Sequence, residues 1–256
     1  MKLKTTSEGD DPGYLPAARS ERSRLMNRLA KDLKPYSETA LNEALEAMQN
    51  GTTPTSLAAR NVAAKVQTQL QDALRYMQAA GVRVSKLGME DGVPYFPRAW
   101  DAAYISSHQR QFLAMIEKYV QSGEFKGDPR KLMQQLMVTD GAEFNVETDM
   151  PGMQHTKTRT LKFISHSDAA QFMRKDLFEI MDSYLTQATR RAEWARRFGD
   201  DGSGVTLLLQ RAATEGATPD QIDTARKFIR SVDGTLGDTI NPTARRMMGN
   251  VIVYQN

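Results

Sequence analysis

Along most of this chain apolar residues recur at steps of three and four, the period of one helix face. The pattern is strongest where Leu57, Val62, Val66, Leu70, Ala73, Leu74 and Met77 line up behind Pro54, predicting a long helix that Gly81 closes. Upstream, residues 1–16 carry acid, Gly and Pro and read as an irregular arm. Residues 17–33 form a charged helix broken by Pro35, and Ser37 starts a short helix that Gly51 ends. Downstream, Asp101 is placed to cap a helix through about Gln121, with Ile105, Phe112, Ile116 and Tyr119 inward. Asp128-Pro129 starts another helix, to about Val138, and Thr218-Pro219 and Asn241-Pro242 each read as an N-cap with proline at the first helical position. A single long helix is predicted over 167–199, its stripe formed by Met173, Leu177, Met181, Tyr184, Leu185, Ala188, Ala192 and Ala195.

Two stretches break the helical period. Residues 81–100 hold two glycines after Gly81 and two prolines, so 82–87 could pair as a short strand while Pro94 and Pro97 keep the aromatic segment extended. Residues 141–163 are polar and threonine-rich around Pro151-Gly152, which suits a two-stranded excursion or a loop. The predicted fold is therefore mainly α, an irregular helical bundle with one or two short strand or extended excursions. It divides into the arm 1–16, an N-terminal helical hairpin region 17–81 and a helical domain 82–256. The last apolar positions, Met247, Met248, Val251, Ile252 and Val253, have only begun a pattern when the chain stops, which suggests a segment of a longer polypeptide.

Composition narrows the chemistry. The 256 residues are 40% hydrophobic and 25% charged, as in a globular protein, and the net charge of +3 permits nucleic-acid or anionic partners without demanding them. The absence of cysteine excludes disulfides, thiolate metal sites and cysteine nucleophiles. No stretch approaches the roughly 18 apolar residues of a membrane span, and the N-terminus lacks a secretory apolar core. Fourteen methionines supply adaptable packing surface.

The three histidines, His108, His155 and His166, have no metal-ligand spacing, and Asp200-Asp201-Gly202 lacks the alternating carboxylates of a calcium loop. No glycine-rich loop follows a strand, and Gly202-Ser203-Gly204 sits in an acidic turn, not a strand-to-helix elbow. No enzyme, metal or cofactor is expected. A basic cluster carries more chemistry. Trp194, with Arg190 and Arg197 four residues before and three after it, is expected on the outward side of the long helix, and Arg191 and Arg196 on the flanks of its apolar face. Such a surface could stack on a base or bind phosphate; equally, the arginines could complement the helix dipole and Trp194 be covered by another segment. Tyr95, Phe96, Pro97, Arg98, Trp100 and Asp101 invite the same comparison, between a ligand platform and a core plug capped by Asp101.

The run from Tyr95 to Asp101, followed by a helix containing Phe112, resembles a motif of the very large internal virion, or ejection, proteins of tailed phages. The resemblance continues in order through Arg159-Thr160-Leu161, Asp176 and Tyr184, then Glu193 and Arg196-Arg197-Phe198-Gly199. It ends on Asp233-Gly234-Thr235-Leu236-Gly237, Asn241-Pro242 and Arg245-Arg246. Two positions depart from the family pattern: Leu161 is not followed by Pro-Asp, and Asp233 stands where arginine is commoner. The resemblance implies a non-enzymatic structural module, packed in the virion interior against copies of itself or other virion proteins and later reaching the host envelope or cytoplasm, where it helps conduct DNA. It carries over no catalytic residue. The alternative is a DNA-binding helical module acting through Arg190, Arg191, Trp194, Arg196 and Arg197.

Overall fold

Side-chain caps set most of the helix starts. The computed structural model describes residues 13–84, 89–90, 93–94, 96–138, 161, 164–200 and 202–233. Helix α1 (Tyr14–Leu33) begins earlier than the hydrophobic pattern suggests, taking Tyr14 to Pro16 from the expected arm; proline is tolerated in a first turn, where its missing N–H bonds nothing. Helix α2 (Glu38–Asn50) starts on Ser37, whose hydroxyl accepts from Ala40 N, and stops at left-handed Gly51. Helix α3 (Leu57–Ala79) starts after Pro54, on Ser56, and Glu43 of α2 reinforces that start by accepting from Thr55 N at 2.8 Å and Ser56 N at 2.7 Å. Leu57, expected on the apolar face, is exposed because it lies in the first turn, outside the reach of the core.

Among the described residues the strand content is a two-residue antiparallel ladder, β1 (Met89–Glu90) with β2 (Val93–Pro94). Residues 82–84 are not strand: Val82 instead folds back on α3, donating to Met77 O. The excursion expected over 141–163 lies outside the described residues, apart from Leu161, as do residues 85–88. The helix expected after Asp101 is split at His108 into α4 (Ala102–Ser107) and α5 (Gln109–Gln121), and α6 (Pro129–Val138) follows.

The helix expected over 167–199 is likewise two: α7 (His166–Ala170) and α8 (Leu177–Phe198). The break is a long-range effect. Asp101 N donates to Phe172 O at 2.7 Å and Arg174 N to Ala99 O at 2.8 Å, so residues 171–176 are drawn into a bridge with the aromatic segment, Trp100 opposite Met173. Helix α8 restarts on Asp176, which accepts from Glu179 N at 3.0 Å. After Gly199 the chain turns into α9 (Ser203–Thr214) and then α10 (Pro219–Asp233). Gly204 allows that turn: a Cβ there would stand 2.7 Å from the carbonyl oxygen of Phe198.

Two bodies of core result. One is built by α1, α2, α3 and α8, with α8 antiparallel to α1 and joined to it by Leu25, Leu29, Ile180, Met181, Leu185 and Ala188. The other gathers Ile105, Phe112, Ile116, Leu136, Ile164 and Phe172 around Trp100. The segment 96–100 spans both, Phe96 and Ala99 in the first and Trp100 in the second. Packing therefore does not separate at residue 81, because α8 from the C-terminal part completes the N-terminal core.

Candidate nucleic-acid interface

The expected cluster on α8 divides between surface and interior. Arg190 is exposed and Arg196 largely so, while Arg197 is half-buried. Trp194 is buried, not outward, and this corrects the periodicity argument. Its ring meets Tyr14 edge-to-face at 6.0 Å and Phe198 at 4.6 Å, because the start of α1 reaches past the apolar stripe of α8 and covers Trp194 beside it. Arg191 is buried too, with its Nη2 donating to the Asp200 carbonyl at 2.6 Å and pairing with the Asp200 carboxylate. Buried side chains of this kind cannot stack on a base or meet a phosphate, so in this arrangement Trp194 and Arg191 serve packing and the turn into α9.

The centre of the cluster is a carboxylate. Glu193, 2% exposed at its side chain, accepts from the Tyr76 hydroxyl and pairs with Arg196 and Arg197. The Arg196 guanidinium lies 5.0 Å from the centroid of the Tyr76 ring. Burial, and then the bond to Glu193, push the Tyr76 phenol up to about 12.

From Tyr76 the charged surface continues where no sequence motif pointed, across α3 to α1. Asp72, one turn before Tyr76, accepts from Arg28 Nη1 at 2.6 Å and lies 3.4 Å from Arg75. Arg24 forms a two-pronged pair with Glu21, at 2.8 and 2.6 Å, which raises its already high pKa, and it also feels the charge of Asp72. In each pair the acid is the more buried partner. The side chains of Arg75, Arg24, Arg28 and Arg196 are 71, 58, 47 and 44% exposed, against 17, 15, 17 and 2% for Asp72, Glu21, Asp72 and Glu193. The result is a row of guanidinium groups held from beneath and facing out. Its only sequence trace is the spacing of Glu21, Arg24, Arg28 and Asp32 along one flank of α1.

The aromatic segment is built into the fold. Tyr95 lies outside the described residues; Phe96, Pro97 and Trp100 are buried. Buried Arg98 donates from Nη1 to the carbonyls of Leu161 at 3.1 Å and Ile164 at 3.2 Å, and Asp101 caps α4 by accepting from Tyr104 N at 2.8 Å. His108 stacks on Tyr104 with ring centroids 3.9 Å apart, and its Nδ1 lies 3.0 Å from Tyr104 O. His155 and residues 141–160 lie outside the described residues, and His166 is the first residue of α7. Asp200 is engaged by Arg191 and by Arg83 N, at 3.2 Å for the latter. Among the described residues no three His, Cys, Asp or Glu converge on a metal-sized site, and no helix is long and apolar enough to cross a membrane. An open groove beside the end of α1, lined by Leu33, Tyr36, Leu41 and Phe178 with Lys31 and Lys34 at its edge, holds no carboxylate. Compared with known proteins the chain stands apart: no family, no curated protein and no solved structure matches it.

Proposed function

We propose that this chain is a non-enzymatic structural module of an internal virion protein of a tailed phage, assembling with copies of itself or with other virion proteins and accompanying DNA into the host. The observation that carries the assembly part is α9: it buries no residue and leaves Leu207 and Leu208 exposed. Among the described residues, Leu207 and Leu208 are left uncovered, and an exposed apolar pair of this kind suits contact with another chain. The phage part rests on the ordered resemblance. It gains support from the use of its landmarks, since Arg98, Trp100, Asp101, Phe198 and Gly199 tie, fill, cap and turn the fold. Residues used in that way suit a scaffold better than a catalyst.

The paired variant L207S/L208S tests the reading. The parent chain is expected to self-associate in light scattering or to co-purify with virion components, and the variant to lose that association while keeping its helical circular dichroism. A parent chain that stays monomeric at high concentration and is missing from purified particles would overturn it.

A further inference from the structure

We infer that the guanidinium row formed by Arg24 and Arg28 of α1, Arg75 of α3 and Arg196 of α8 is a docking surface for the phosphate backbone of double-stranded nucleic acid. This does not rest on the assembly reading, which concerns α9. The row is continuous. Arg28 and Arg75 share Asp72, whose charge also reaches Arg24, and Tyr76, one turn further along α3, carries Arg196 over its ring. Lys31, exposed and one turn beyond Arg28, extends it on the same flank of α1.

Three features select the partner. First, Glu21, Asp72 and Glu193 are each more buried than the arginines they pair with, and Asp32 flanks Arg28 at 3.9 Å. The guanidinium groups are therefore oriented mainly from the protein side and keep N–H groups for the fork geometry that suits phosphate. Holding long side chains in place before binding also reduces the ordering cost of contact. Second, no exposed large hydrophobic residue borders the row: among the described residues those are Leu57, Val120, Leu207 and Leu208. A protein partner would need an apolar centre and a bilayer would need apolar side chains to insert, whereas a sugar-phosphate backbone needs neither. Third, the aromatic ring in the row, Tyr76, is half-buried under Arg196 and offers no free face to an unstacked base, which points to a duplex and not to a single strand.

The test is a salt titration of the full chain against a short fluorescent DNA duplex, followed by anisotropy. Binding is expected at low salt, with log K falling linearly in log salt. Arg24 and Arg75 are the most exposed of the row, and Asp72 keeps Arg28 when Arg75 is lost, so R24Q/R75Q is expected to fold. That variant should lose about two units of salt slope, close to 0.9 for each phosphate contact removed. R24K/R75K should keep the slope, because charge and not packing sets it. The inference fails if the parent chain does not bind duplex at low salt, or if folded R24Q/R75Q keeps the parent slope. It also fails if R24K/R75K loses as much slope as the glutamine pair, or if polyglutamate or phosphatidylserine vesicles bind as tightly as duplex at the same salt.

Discussion

Helices α8 and α9 are neighbours in the chain, yet they meet opposite fates. Helix α8 carries Arg191 and Glu193 and buries both, along with Thr189 and Trp194. Helix α9 carries three consecutive leucines, Leu207, Leu208 and Leu209, and buries no residue at all. Apolar content therefore does not rank the two; position does. Helix α8 runs between α1 and α3, so most of its circumference is covered. Asp200 takes up Arg191 Nη2, and Tyr76, Arg196 and Arg197 take up the Glu193 carboxylate, while Arg191 Nε and Nη1 and Trp194 Nε1 are buried without a hydrogen-bond partner among the described residues. Helix α9 touches α8 at the glycine turn and α10 beside it, and among the described residues Leu207 and Leu208 stay exposed.

The contrast can be broken most forcefully in the interior. Trp100→Ala removes the largest fully buried side chain, at the point where both cores meet, and is expected to cost about 3–5 kcal/mol in urea denaturation. A loss under about 1 kcal/mol would mean that the second core contributes little to holding the fold. A smaller effect is expected from the buried edge of α8. The Tyr76 phenol is raised from 10.0 to about 12, so the folded state holds its proton more tightly than the unfolded chain does. Its contribution is complete below pH 10 and lost as pH rises towards 12. Stability measured across that window should fall less steeply in Y76F than in the parent, and equal slopes would discount the phenol. Smallest of all should be the effect in α9: L207S/L208S is expected within about 0.5 kcal/mol of the parent, since exposed positions away from caps and cores rarely matter more. Destabilisation approaching that of Trp100→Ala would place α9 in the core and remove the contrast.

The sequence was most legible where local chemistry decides. Ser37, Gly51, Asp101, Asp128-Pro129 and Thr218-Pro219 mark helix ends because the capping group and the backbone it satisfies lie within a few residues. The inward positions of α3 and α5 were readable for the same reason: each helix has one covered face. What escaped reading depends on distant partners. The gap between α7 and α8 arises from hydrogen bonds to Ala99 and Asp101, some seventy residues away in sequence. Trp194 looked outward because period marks one face, while the start of α1 reaches past that face and covers Trp194 with Tyr14. Of the expected cluster only Arg190 and Arg196 stand clearly at the surface. The cationic row that does face out joins Arg24 and Arg28 of α1 and Arg75 of α3 to Arg196 of α8, an assembly across three helices that no linear motif can encode.

The segment from Phe96 to Trp100 has a consequence for how the molecule comes apart. It places aromatic rings in two cores within five residues, and its backbone is bonded to residues 172 and 174 just ahead of α8. Neither core can open far without pulling this short length of chain out of the other. Heat or denaturant should therefore meet a single cooperative unit and not two domains melting in turn, with α9 and α10 free to fray beforehand at little cost to either.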